Sequence, residues 1–198
     1  MLYRKTALRV AAPVAVLALA LTACGGGDDK KSDDKKADAP KSQNKPAEPT
    51  TLKAGETTTG KVKEGDATVT YDVAAQKVDV GTEAETKKLV SDPKKAKGLV
   101  VATAHMKITH KGGAPLKDTP DVAETTEIYA DGTRGGLLIG AAEDAPGCED
   151  ELELEGWKTG ESHVLCETYL VPAGSKSLEV HWAEKEDGKP VIWKLAGA

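Results

Sequence analysis

Apolar and polar residues alternate along most of the chain after residue 66. In residues 67–73 (ATVTYDV), Val69, Tyr71 and Val73 are separated by polar residues. Successive side chains of a β-strand point to opposite faces, so a period of two predicts half-buried strands. Further runs predict strands over 76–80, 98–110, 162–171, 177–183 and 190–195, and 122–130 and 136–142 are predicted as the two strands that flank Asp131-Gly132. The alternation changes parity near Ala74-Ala75, which predicts a β-bulge or a break there.

Turn residues separate these runs. Asp131-Gly132 lies between 122–130 and 136–142 and predicts a hairpin, because Gly tolerates a positive φ. Residues 82–97 are charged and predict a long loop with one helical turn over 83–90. Residues 149–155 alternate Glu with Leu, which favours a half-buried strand with a solvated acidic face and leaves Ca²⁺ binding by these carboxylates as an alternative. Short strands between Gly, Pro and Asp turns predict an all-β sandwich or barrel.

Composition predicts a small core and excludes one class of partner. The chain of 198 residues is 39% hydrophobic and contains no Phe, so aliphatic residues around a few Trp and Tyr must form the core. Asp and Glu outnumber Lys and Arg by 32 to 27. Nucleic-acid affinity comes largely from clustered basic residues, and this balance argues against a nucleic-acid partner.

The N-terminal residues 1–23 have the pattern of a signal peptide. Arg4, Lys5 and Arg9 form a basic segment, and an apolar stretch over 10–21 follows. That stretch is short for a transmembrane helix, which needs about 20 apolar residues. It ends in LTAC, which resembles the bacterial lipobox, and the resemblance implies that Cys24 is acylated and becomes the first mature residue. The alternative is a plain signal peptide followed by a chance Cys.

Residues 24–50 have the composition of a tether. They contain no Val, Ile, Leu or aromatic residue, so no hydrophobic face is available to offset the entropy of ordering, and we expect disorder. The domain is expected over 51–198. Cleavage before Cys24 removes three basic and no acidic residues, so attachment to the membrane must come from the acyl chains on Cys24 rather than from a basic patch.

Two cysteines remain after Cys24. In an exported chain an even pair predicts a disulfide, here between Cys148 and Cys166. In the chain-entropy model a loop of this length contributes about 3 kcal/mol. Two free thiols or a metal pair are the alternative, although no C-x-x-C spacing supports them.

A family resemblance covers about residues 98–183. Residues 157–161 (WKTGE) lead into 164–174 (VLCETYLVPAG) and then 178–180 (LEV), and strand 98–110 ends at Lys111-Gly112-Gly113. This series resembles the Ig-like domains of small bacterial surface lipoproteins. The resemblance implies an immunoglobulin-like antiparallel β-sandwich, and it says little about activity because such sandwiches host many functions.

Neither an enzyme nor a cofactor is predicted. The chain lacks G-x-S-x-G, H-E-x-x-H and a phosphate-binding Gly loop. Met106 and His110 share a strand face and are the candidates for a copper site, since soft Met and imidazole suit Cu(I). His105 has the opposite parity, and we expect it to point outward while Met106 fills the core.

These patterns together predict an exported protein, lipid-anchored to the cell membrane, whose domain is extracytoplasmic. We expect a non-catalytic module that binds an envelope protein or ligand, whose identity the sequence does not indicate. The alternative is an extracytoplasmic solute- or copper-binding lipoprotein, and an enzyme ranks third. A deep polar pocket would favour the solute binder, and an exposed apolar patch would favour protein recognition.

Overall fold

The computed structural model describes residues 48–142, 145–154 and 156–196. Within them lie ten strands, one α-helix and one 3₁₀ helix. The strands are β1 (Thr50–Lys53), β2 (Thr58–Glu64), β3 (Ala67–Val80), β4 (Leu99–Gly112), β5 (Glu127–Ala130), β6 (Thr133–Arg134), β7 (Gly136–Leu137), β8 (Ser162–Pro172), β9 (Ser177–Trp182) and β10 (Val191–Ala196). Helix α1 spans Glu83–Leu89, and the 3₁₀ helix spans Glu151–Glu153. No helix among these residues is long and apolar enough to cross a membrane.

The strands form two five-stranded sheets. Sheet 1 has the order β1-β10-β9-β5-β6, and sheet 2 has the order β2-β3-β4-β8-β7. The all-β prediction is therefore confirmed. All of these strand pairs are antiparallel except β1 with β10, which is parallel and corrects the expectation of purely antiparallel pairing. Strands β1 and β2 were not predicted, because TTLK and TTGKVKE contain few large apolar residues.

The core lies between the two sheets. Strand β4 contributes its inward row of Val100, Ala102, Ala104, Met106 and Ile108, as the alternation predicts. The three tryptophans complete a core without Phe, and each indole N–H donates to a backbone carbonyl: Trp157 to Glu161, Trp182 to Val122 and Trp193 to Glu56. The aromatic rings thus bury large areas without leaving a donor unpaired.

The predicted bulge in strand β3 is present. The pairing of β3 with β4 shifts register between Ala75 and Lys77, so Gln76 is the extra residue. The strand continues through this bulge to Val80. The shift changes which residues of β3 face the core, and it places Lys77 directly opposite His105 of β4.

Helix α1 confirms the helical turn predicted within the charged loop. Thr82 and Glu85 form a capping box, in which each side chain accepts a hydrogen bond from the other residue's backbone N–H. The buried Thr86 then accepts a hydrogen bond at 2.8 Å from the Val101 N–H. That bond fixes the short helix against the start of β4.

The hairpin at Asp131-Gly132 is present, but its arms are shorter than predicted. Both turn residues have positive φ, 49° and 79°. The arms are β5 and β6, so the predictions of strands over 122–130 and 136–142 are largely wrong. The chain leaves sheet 1 at Gly135, where an added Cβ would lie 2.9 Å from the Leu170 carbonyl oxygen, and β7 joins sheet 2. A close approach of two backbones ends the hairpin.

The half-buried strand predicted over 149–155 is wrong. Residues Glu151–Glu153 form a 3₁₀ helix instead, and the Asp150 side chain accepts a hydrogen bond from the Leu152 N–H. Such a side-chain cap offers the backbone an alternative to strand pairing. Leu152 consequently points to solvent and is 67% exposed.

Candidate functional site

Cys24, the predicted signal peptide over 1–23 and the predicted tether up to residue 47 lie outside the described residues. The lipid-attachment prediction is therefore carried by the sequence alone.

Met106 and His110 share the inward face of β4, as their parity predicts, and both are completely buried. The His110 ring contacts Tyr71 edge-on, with centroids 5.7 Å apart, and its Nε2 lies 3.1 Å from the Ala114 carbonyl oxygen. His110 is not part of the cluster of described His, Cys, Asp and Glu ligand atoms that lie close enough to share an ion. The two residues therefore fill the core.

His105 differs from the sequence expectation. Its side chain lies on the face opposite Met106, yet the residue is only 2% exposed. The loop that carries Cys148 covers the ring, and an added Cβ at Gly147 would lie 3.9 Å from His105 Cε1. The ring Nε2 lies 2.9 Å from Asp79 Oδ2. The expectation that His105 points outward to solvent is therefore wrong: its side chain lies on the outer face of the sheet, but the loop buries it.

The surroundings of His105 favour the neutral form of its ring. Burial lowers the pKa of His105, and the nearby charge of Lys77 lowers it further. Asp79 and the Gly147 backbone act in the opposite direction. The Lys77 ammonium also pairs with Asp79 at 2.5 Å, so the Asp79 carboxylate contacts both Lys77 and the His105 ring.

The predicted disulfide is present between Cys148 and Cys166, with Cα atoms 5.7 Å apart. Cys166 lies on β8 directly opposite His105 of β4, which places both side chains on the same face of sheet 2. The His105 Nδ1 atom lies 3.6 Å from the Cys166 sulfur and 3.8 Å from the Cys148 sulfur. The bond therefore closes the loop over a buried imidazole.

The remaining histidines do not converge with His105. His163 pairs through Nδ1 with Glu149 at 2.7 Å, and His181 on sheet 1 stacks on Tyr129 with ring centroids 4.0 Å apart. His163 pairs with Ile108 across the sheet, so its side chain lies on the face opposite to that of Cys166.

An open groove lies beside strand β8, where β7 pairs only with Tyr169 and Leu170. The groove has a volume of about 530 Å³. Its described lining contains neither Lys nor Arg, and it contains the five carboxylates of Glu124, Glu149, Asp150, Glu151 and Glu167. We call this feature the acidic groove.

Glu167 occupies an unusual position in the acidic groove. It belongs to the inward row of β8, between the buried Leu165 and Tyr169, and it pairs with Ala104 of the core strand β4. Burial raises the pKa of Glu167 to about 7, and the neighbouring charges of Glu151 and Glu124 contribute in the same direction. A carboxyl group on a core-facing row, among like charges, is a strongly perturbed group in a concave site.

The rim of the acidic groove is apolar. Leu137, Ile139 and Leu152 line it and are 48%, 89% and 67% exposed. The only other large hydrophobic residue exposed to this degree among the described residues is Leu89 of α1. The carboxylates and the exposed apolar side chains therefore coincide at one place on the surface.

Two acidic residues of the groove already hold the local structure. Glu149 accepts a hydrogen bond from the Val164 N–H at 2.8 Å and pairs with His163, while Asp150 caps the 3₁₀ helix. No group of three carboxylates among the described residues has oxygens close enough to share an ion. The Ca²⁺ alternative for residues 149–155 has no support from this geometry.

A second groove of about 590 Å³ lies on sheet 1, lined in part by Glu127, Tyr129, Arg134 and His181. Charges of both signs line it, and Glu127 already has partners: Arg134 pairs with it at 2.9 Å and the Tyr129 hydroxyl donates to it at 3.2 Å. The acidic groove, whose charges have one sign, is the stronger candidate.

Glu167 is the residue that sequence reasoning missed. The sequence of the predicted strand 162–171 contained an indication of this position. The alternation places Glu167 on the same strand face as the apolar Leu165, Tyr169 and Val171. A charged residue on the apolar row of a strand marks either a buried partner or a functional position.

Comparison with known proteins identifies no family. No family model and no curated protein matches the chain. Among solved structures, similarity is found to "Structure of a putative lipoprotein from Staphylococcus aureus subsp. aureus NCTC 8325", at 11% sequence identity and a TM-score of 0.45. The match covers 71% of this chain and 92% of that chain. We draw neither fold nor function from a likeness of this strength.

Proposed function

We propose that this chain is an exported, lipid-anchored protein whose non-catalytic domain binds a basic, partly apolar segment of another envelope protein in the acidic groove. The observation that carries the proposal is the coincidence of the half-buried Glu167 with an exposed apolar rim.

The anchor rests on the N-terminal sequence. A basic segment, an apolar stretch and LTAC ending in Cys24 follow one another in the order that a lipoprotein signal requires. Acyl chains on Cys24 contribute about 0.8 kcal/mol per buried methylene, and two chains suffice for stable attachment. The acidic surplus of the chain assigns the membrane contact to these chains rather than to the domain.

The domain is proposed to be an Ig-like β-sandwich. Two sheets that enclose one core, with short strands and turn residues between them, support this type. The disulfide lies between a loop and β8 rather than between the two sheets, which distinguishes it from antibody domains.

Charge complementarity argues for a basic ligand. Glu167 lies in a groove lined by carboxylates, and the like charges of Glu151 and Glu124 disfavour its ionised form until a cation approaches. A Lys or Arg side chain that pairs with Glu167 would relieve this repulsion and replace the water lost on burial.

The rim argues for a protein segment rather than a small solute. The groove is open, and Leu137 and Ile139 stand exposed beside it. Exposed apolar groups rimmed by polar residues mark protein-interaction sites, whereas solute pockets enclose most of their ligand. Apolar side chains of the partner would cover these residues.

The proposal is tested with a labelled synthetic peptide of alternating Lys and Leu and a matched peptide of Glu and Leu. The full-length chain should bind the first and not the second, and added salt should weaken binding. Glu167→Gln and Ile139→Ser should each lower affinity about tenfold, equivalent to about 1.4 kcal/mol.

Matched controls locate the site. Glu153→Gln alters an exposed carboxylate outside the groove, and Leu89→Ser alters the exposed leucine of α1. Both variants should bind like the parent. Equal binding of the two peptides, or equal loss in the controls, would contradict the proposed groove.

A further inference from the structure

We propose that reduction of the Cys148–Cys166 disulfide turns His105, Cys148 and Cys166 into a Zn²⁺ site. This inference is independent of the ligand proposed for the acidic groove, since it rests on a different set of atoms. The three ligand atoms all lie within 4.8 Å of one another, and the three residues form the only such group of His, Cys, Asp or Glu in the described part of the chain.

The nitrogen-to-sulfur distances are already close to the values that a tetrahedral site requires. Zn–S bonds of about 2.3 Å and Zn–N bonds of about 2.0 Å, at tetrahedral angles, separate nitrogen from sulfur by about 3.5 Å. The His105 Nδ1 atom lies 3.6 Å from the Cys166 sulfur and 3.8 Å from the Cys148 sulfur. Only the two sulfurs must separate, to about 3.8 Å, once the bond between them is broken.

Asp79 orients the imidazole for this role. Its contact with Nε2, at 2.9 Å, is shorter than the 3.6 and 3.8 Å contacts of Nδ1 with the two sulfurs, so we assign the proton of a neutral ring to Nε2. The Nδ1 lone pair then faces the two sulfurs. A carboxylate that accepts the second N–H of a ligating histidine is the usual arrangement at zinc sites, where it fixes the tautomer and ring orientation.

Burial distinguishes the three ligands. His105 is almost completely buried, whereas Cys148 and Cys166 are partly exposed, and Cys166 lines the acidic groove. The two cysteines therefore lie at the solvent-facing side of the site, and the imidazole lies at its buried side. Three protein ligands leave a fourth position for water, as in zinc sites of the Cys₂His type.

The reaction balances with a dithiol as reductant. The dithiol attacks the disulfide through a mixed disulfide, transfers two electrons and two protons to the pair, and is itself oxidised to a disulfide. Two thiols result on Cys148 and Cys166. Zn²⁺ then binds the two thiolates and His105 Nδ1, and the two thiol protons are released to solvent.

The experiment uses full-length protein in which Cys24 is replaced by Ser, so that only Cys148 and Cys166 supply thiolates. The chain is compared as the disulfide and after reduction with a water-soluble phosphine, removed by gel filtration under nitrogen. Zn²⁺ is titrated in competition with a chromophoric chelator. We expect one Zn²⁺ per reduced chain and none per oxidised chain.

Variants distinguish a three-ligand Zn²⁺ site from Zn²⁺ binding by the two cysteine thiols alone. His105→Gln in the reduced chain should abolish tight binding, and Asp79→Asn should weaken it by about 10–100-fold. His181→Gln, on sheet 1, is the matched histidine control and should bind like the parent. Zn²⁺ binding that survives His105→Gln unchanged, or that occurs equally in the oxidised chain, would overturn the proposal.

Near-ultraviolet circular dichroism of the buried tryptophans reports whether reduction alone unfolds the domain. If it does, Zn²⁺ should restore the native signal in the reduced parent and not in His105→Gln, because binding energy then supplies folding energy. A reduced chain that stays unfolded with Zn²⁺ would contradict the proposed site.

Discussion

Gly60 of β2 lies directly against the indole of Trp182 of β9, across the interface between the two sheets. A Cβ atom added at Gly60 would lie 2.5 Å from Trp182 Cη2. The indole is buried, and its N–H donates to the Val122 carbonyl at 2.7 Å, so the ring is held from both sides. The absence of a side chain at residue 60 allows the sheets to close over this ring.

Gly60→Ala should therefore lower the free energy of unfolding by about 1–3 kcal/mol, the usual cost of overpacking a core. Urea denaturation monitored by tryptophan fluorescence measures the change. Gly112→Ala is the matched control, because a Cβ there meets nothing within 4 Å. Equal stability of the two variants would show that the Trp182 ring moves aside without cost.

The disulfide should account for a large part of the stability of this domain. It links residues 18 apart, and the Cys148→Ala, Cys166→Ala double variant should lose about 3 kcal/mol of unfolding free energy in the chain-entropy model. Intact-mass analysis of the native protein should show no thiol at either position that reacts with an alkylating reagent before reduction. Two reactive thiols in the native protein would refute the bond.

Cys24 should determine membrane retention. Cys24→Ala removes the sulfur that carries the lipid, so the variant should lose acylation and leave the detergent phase in a phase-partition experiment. Ser32→Ala, within the predicted tether, is the control and should stay with the membrane. Retention of Cys24→Ala with unchanged processing would exclude the lipoprotein assignment.

Glu64 should make stability depend on pH. Burial raises the pKa of Glu64 above its usual 4.5, and this outweighs the hydrogen bonds that its carboxylate accepts from the Asp121 N–H and the Tyr71 hydroxyl. Below pH 4.5 the group is protonated in both states, and the stability it contributes is fully present. That contribution is lost as the pH rises through the raised pKa, because the folded state there binds more protons than the unfolded state.

Glu64→Gln should consequently show a smaller fall in unfolding free energy between about pH 4 and about pH 8 than the parent. A hydrogen bond lost in the variant lowers the free energy of unfolding equally at both pH values. The informative quantity is therefore the difference between the free energies of unfolding measured at the two pH values. Glu186→Gln, at an exposed position, should follow the parent. If the free energy of unfolding fell with pH by the same amount in Glu64→Gln and in the parent, the raised pKa of Glu64 would be contradicted.

Local patterns predicted those features that depend on neighbours along the chain. The inward row of β4, the bulge after Ala75 and the turn at Asp131-Gly132 were all predicted in place, because side-chain parity and positive φ act within a few residues. The pairing of Cys148 with Cys166 was predicted by count alone, since no other pair remained once Cys24 was assigned to lipid.

The arms of the hairpin and the run 149–155 show the limit of such patterns. Residues 136–142 follow the Asp131-Gly132 turn and were predicted as a hairpin arm, yet the backbone contact of Gly135 with β8 sends β7 to the other sheet. Glu and Leu alternate at 149–155, yet the Asp150 cap produces a 3₁₀ helix. In both places a contact outside the pattern decided the conformation.

By itself, the sequence determined the β-strand character of the domain, the one disulfide and the pattern of a lipid anchor, since each depends on local spacing or on residue type. Only the tertiary structure decided that His105 is buried under the Cys148 loop and that Glu167 lies in a groove with an apolar rim. Parity states which face of a strand a residue occupies, but whether that face is covered depends on loops distant in sequence. Burial, which shifts the pKa of Glu167 and places the His105 imidazole beside two sulfurs, is a property of the assembled fold.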